Sequence, residues 1–121
     1  MISILLIDDD ETEYHLINRM MEDCYDKGFL LRYANSLDRA KTLLKDISFD
    51  VILLDDKLGR GVTAQETVPD LKAITNNVPL IIISSIVDAH YLRDKTILNV
   101  YDIVDKFHLQ DKMAQGLLLT S

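Results

Sequence analysis

The chain has 121 residues, 48% of them hydrophobic, and a net charge of −7 from 20 acidic and 13 basic side chains. That length and apolar content suit one domain with its own core and exclude a disordered chain. The acidic balance repels phosphate backbones and argues against direct nucleic-acid binding, while no apolar run approaches the roughly 20 residues that a membrane-spanning helix needs.

The first apolar run, residues 2–7, ends in Asp8, Asp9 and Asp10, with Glu11 and Glu13 just beyond. Clustered carboxylates at the end of a buried strand must be offset by a cation, a proton or water, so the cluster is either a solvated turn or a site. Residues 11–25 read as an uninterrupted amphipathic helix with Tyr14, Ile17, Met21 and Cys24 on one stripe, and Asp10 suits its cap. Residues 29–34 form the second strand run. Leu37, Ala40, Leu44 and Ile47 then make a second helical stripe, which Ser36 can cap.

The third run, residues 51–54, ends at Asp55 and Asp56. Ala64, Val68, Leu71 and Ile74 predict a third helix. Thr63 and Glu66 have the spacing of a capping box for it, and Pro69 should kink or delay it. The fourth run, residues 80–83, ends at Ser84 and Ser85. A weaker helical segment starts at Asp88 and ends at Asn99, a residue able to adopt a left-handed turn. The fifth run, residues 100–104, precedes Lys106, and a last helix is expected over residues 109–119.

Short apolar runs alternating with helices imply parallel strands joined by right-handed crossovers. The expected architecture is a doubly wound five-stranded parallel α/β sheet flanked by five helices. No repeat, low-complexity tract or Gly/Ser/Pro-rich linker marks a second domain, so residues 1–121 read as one. With no basic segment ahead of an apolar stretch, and with Cys24 alone unable to form an internal disulfide, the expected location is the cytoplasm.

In such sheets the working site lies at the carboxyl ends of the strands, beside the point where strand order reverses. Asp8, Asp9 and Asp55 would be three carboxylates in need of a counter-ion. Magnesium fits, because it takes few carboxylates and leaves positions to water and phosphate oxygens. A hydroxyl and a lysine at neighbouring strand ends, Ser84 and Lys106, are the other parts expected around a transferring phosphoryl group. Asp55 is preferred to Asp56, and Ser84 to Ser85, as the first polar residue after the apolar run. His15, His90 and His108 share no spacing that suggests a metal site or a catalytic dyad.

Four segments in order, "LLIDDDE", "FDVILLDDKL", "VPLIIISS" and "DIVDK", give the whole chain a pattern that resembles the response-regulator receiver domain, the CheY-like phosphoacceptor fold of the flavodoxin-like class. The resemblance implies that Asp55 is the phosphoacceptor, that Asp9 binds magnesium directly and Asp8 mainly through water, and that Lys57 offers its backbone carbonyl. It implies that Ser84 is the switch hydroxyl and that Lys106 pairs with the phosphoryl group. The implied partners are a sensor histidine kinase or phosphotransfer protein and a downstream output protein or domain. They include neither nucleic acid nor membrane.

Several positions depart from the family pattern. Gly59 stands where a proline is usual, and Phe107 follows the lysine where a proline in a cis peptide is usual. Ile103 replaces an aromatic residue that turns inward with the switch hydroxyl, and Asn99 replaces a frequent glycine. Lys57 and Ile86 flank, by resemblance, the approach of a hydrolytic water, and neither positions water well. Two alternatives remain at this point: a receiver-shaped interaction module that signals without phosphorylation, and a haloacid-dehalogenase-type phosphatase, whose nucleophile pattern Asp8, Asp10 and Thr12 also match.

Overall fold

The computed structural model describes residues 1–59, 62–75, 77–85 and 95–118. Strands β1 (Ile2–Ile7), β2 (Phe29–Ala34), β3 (Val51–Asp55), β4 (Leu80–Ser84) and β5 (Asp102–Asp105) form one sheet in the order β2-β1-β3-β4-β5. Every neighbouring pair is parallel. The connecting helices are α1 (Glu11–Tyr25), α2 (Leu37–Asp46), α3 (Ala64–Lys72), α4, described over Lys95–Leu98, and α5 (Leu109–Ala114). The expected start of the fourth helix at Asp88 lies outside the described residues.

Because side chains alternate across a strand, each strand feeds two separate cores. Leu5, Ile7, Ile52, Leu54 and Ile82 pack with Ala40 of α2 and with Ala64, Val68 and Leu71 of α3. Ile4, Leu6, Val51, Leu53, Ile81, Ile83 and Val104 pack on the opposite face with Ile17 and Met21 of α1 and with Leu109 and Met113 of α5. β3 and β4 are buried along their whole length, as central strands covered on both sides must be.

The helix starts follow local chemistry. Asp10 accepts a hydrogen bond from the Thr12 N–H, and Ser36 Oγ accepts one from the Arg39 N–H at 3.2 Å. Ser36→Ala should therefore cost about 1 kcal/mol, read as a lower urea midpoint with an unchanged slope. An unchanged midpoint would show that the helix is held by packing alone.

Several boundaries differ from the sequence reading. Thr63 occupies the N-cap of α3 without a side-chain cap bond; instead Asp56 Oδ1 accepts from the Ala64 N–H at 3.1 Å. A carboxylate from the end of β3 thus does locally what the capping box was expected to do. Pro69 sits inside α3 rather than interrupting it, and the carbonyl left without an intrahelical donor belongs to Gln65, an exposed residue. β5 starts at Asp102, two residues later than expected. α5 ends at Ala114, before Gly116 at φ +95°, and Leu119 lies outside the described residues. Asn99 takes the left-handed conformation, at φ +58°. Among the described residues every peptide bond is trans, including that before Phe107.

Candidate functional site

Strand order reverses between β1 and β3, and their register aligns Ile7 with Leu54. The next residues, Asp8 and Asp55, therefore lie side by side at the carboxyl edge. Their parity follows Leu6 and Leu53, which places both on the α1/α5 side of the sheet. Lys106 follows Val104 by two and shares that side, whereas Ser84 follows Ile82 and belongs to the α2/α3 side.

Asp8, Asp9 and Asp55 each present one carboxylate oxygen, all within 4.8 Å of one another, an arrangement that could hold a metal ion. Asp8 is fully buried. Its Oδ1 accepts from the Asp10 N–H at 2.9 Å, while Oδ2 is buried without a hydrogen-bond partner. Asp9 is exposed, and its Oδ2 accepts from the Gly59 N–H at 3.0 Å. Gly59 holds φ +75°, a conformation in which a side chain would be strained, so a glycine there lets the loop after β3 turn back to Asp9. Ser84 is buried at the end of β4. Lys57 is exposed, and Ile86 lies outside the described residues.

The Lys106 ammonium lies 3.1 Å from Asp55 Oδ1, 3.5 Å from Glu13 Oε1 and 3.9 Å from Asp8 Oδ2. One cation thus faces three carboxylates, two of them at the buried strand ends. Burial pushes Asp8 from its ordinary 3.8 up to about 7; the Asp10 N–H opposes the rise and the charge of Asp55 adds to it. Burial also raises Asp55, against the pull of Lys106. For Lys106 burial acts downward, but Asp55, Asp8 and Glu13 outweigh it and hold the ammonium above its usual value. The cluster is short of positive charge, and its unpartnered Asp8 oxygen is the kind of group a divalent cation satisfies.

The structure brings Asp8, Asp9, Asp55 and Lys106 together as the sequence implied. Glu13 was not singled out. Its signal was present, because Glu13, Ile17 and Met21 recur every four residues and so continue the core-facing stripe of α1 towards the strand ends. Asp10 is occupied as the cap of α1, and residues 11–25 form one unbroken helix, so the phosphatase pattern lacks both its second acid and its flap.

No family model and no curated protein matches the chain. Solved structures do. The chemotaxis protein CheY4 of Vibrio cholerae matches with TM-score 0.81 at 15% identity, covering 100% of this chain and 99% of that one. The receiver domain of a sensor histidine kinase from Pseudomonas aeruginosa PAO1, with a magnesium ion coordinated in its active-site cleft, matches with TM-score 0.77 at 18% identity, over 96% and 93%. The response regulator TrrA of Thermotoga maritima, in complex with Mg(2+)-BeF, matches with TM-score 0.75 at 19% identity, over 97% and 96%. The fold is that of CheY-like receiver domains.

Proposed function

We propose that residues 1–121 are a single response-regulator receiver domain that accepts a phosphoryl group on Asp55 in a magnesium-dependent reaction. The observation that carries this reading is the convergence of three carboxylates within 4.8 Å and of Lys106 at 3.1 Å from Asp55, at the sheet's topological switch point. Asp8, Asp9, Asp55 and the backbone carbonyl of Lys57 would hold the magnesium, and the unpartnered buried oxygen of Asp8 fits such a ligand. When bound, magnesium supplies positive charge that offsets the carboxylates and the transferring phosphoryl oxygens.

The chain's own residues do the rest. A carboxylate oxygen of Asp55 attacks phosphorus, and the donor's leaving group departs with the bonding electron pair. Lys106 stays charged through the physiological range and pairs with the phosphoryl oxygens. Ser84, buried at the neighbouring strand end, is the hydroxyl that responds to them. With Ile103 packed against the α2/α3 core in place of a mobile aromatic ring, the response belongs to Ser84 and the segment after it. The donor would be a sensor histidine kinase or phosphotransfer protein and the receiver of the signal a downstream output protein or domain, in the cytoplasm. Among the described residues no helix is long and apolar enough to cross a membrane.

Incubation with magnesium and acetyl phosphate should add one phosphoryl group by intact mass, and the addition should vanish in Asp55→Asn. Persistence in that variant together with loss in Asp8→Asn would favour the phosphatase reading. No addition to the wild-type chain would favour an interaction module that works without phosphorylation.

A further inference from the structure

Glu13 lies in the first turn of α1 and sends its carboxylate to the Lys106 ammonium, 3.5 Å away. The Glu13 and Lys106 side chains are only 25% and 20% exposed, so the pair is shielded more than an ordinary surface ion pair. The same ammonium is 3.1 Å from Asp55. A divalent cation that takes the charge of Asp55 for itself must compete with Lys106 or displace it. Displacement would strand a half-buried ammonium unless a second acceptor were already within reach.

We infer that Glu13 is a positioning residue that gives the Lys106 ammonium a second seat on α1, so that Asp55 can be released to an incoming ligand without leaving Lys106 unpaired. The inference rests on the proposed role of Asp55, although its test does not require phosphorylation. With the Glu13 side chain in place, Lys106 can pass from one carboxylate to the other. Without that second carboxylate, Lys106 settles on Asp55 and blocks it. A bland role also exists, since a carboxylate in the first turn of a helix favours the helix dipole whatever it faces. That role concerns stability alone and would leave Lys106 and ligand binding untouched.

The test compares wild type, Glu13→Gln and Glu13→Asp. The Lys106 side-chain ammonium resonance, followed by NMR without metal or donor, should shift in Glu13→Gln and return part of the way in Glu13→Asp. Magnesium, titrated through the backbone amide shifts of residues 8–10 at about 0.5 M salt so that the bare loss of the Glu13 charge is screened, should still bind Glu13→Gln more weakly by about threefold or more, because Lys106 then stays on Asp55 and opposes the cation there. Glu13→Asp should fall between. An unmoved Lys106 resonance with unchanged magnesium affinity would overturn the inference and leave Glu13 as a helix-terminal acid. A wild-type chain that takes no magnesium at all would overturn it too, because the second seat would serve no ligand. If instead both readouts move as expected while the wild-type chain accepts no phosphoryl group, the proposed function fails and the positioning role stands.

Discussion

At about pH 8 and without magnesium, Asp8→Asn should be more stable than the wild-type chain by on the order of 2–4 kcal/mol. Burial holds the Asp8 carboxyl at about 7 in the folded chain against 3.8 when unperturbed. Between those values the native state keeps a proton that the unfolded state has lost, so stability must fall as pH rises from about 4 to 7. Asp55, also raised by burial, adds to the fall. Asparagine keeps an oxygen for the Asp10 N–H and has no charge to bury. Its advantage should therefore be small below about pH 4, grow through neutrality and level off above it. Saturating magnesium should narrow it, because a cation bound to the native state stabilises the wild type. Urea midpoints across pH supply the check, and a gain that did not depend on pH would show that charge is not what Asp8 costs the fold.

The reverse substitution in charge terms should have the reverse sign. Lys106→Met removes the ammonium that faces Asp55, Glu13 and Asp8 and should cost about 2–3 kcal/mol at about pH 8, somewhat less than a fully buried pair because the lysine is partly exposed. At about pH 5 the buried carboxylates of the variant can take up protons instead, so the loss should shrink towards that of an ordinary substitution. A loss of equal size at both values would mean that the aliphatic stem of Lys106, rather than its charge, holds the edge together.

Much of the fold could be read from the sequence because its signals are local. Residues 2–7, 29–34 and 11–25 have the observed bounds, since a run of β-branched and aliphatic residues or a four-residue apolar repeat marks them without reference to anything distant. The acidic cluster was legible for the same reason: each acid follows a buried strand directly. What was not legible was tertiary. The carboxylate of Asp56 caps α3 eight residues away, a bond that depends on how the loop after β3 folds back. Asp9 meets Gly59 across 50 positions of sequence. Glu13 looked like one more acid in a helix rich in them, and only the pleat parity that sends Lys106 to the α1 side gives it a partner.

The two cores described above share no buried side chain among the described residues. The sheet is thus a partition, and a rearrangement in one compartment cannot push on the other through packed side chains. The carboxyl edge is where that separation ends: Asp55 and Lys106 stand on one side of the partition and Ser84 on the other, on strands joined through the Asp55–Ile83 and Ser84–Asp105 register. A group added at Asp55 therefore occupies a crossing between compartments. A change of a few atoms at that strand end would therefore touch both compartments at one place, the α1/α5 side through Asp55 and Lys106 and the α2/α3 side through Ser84.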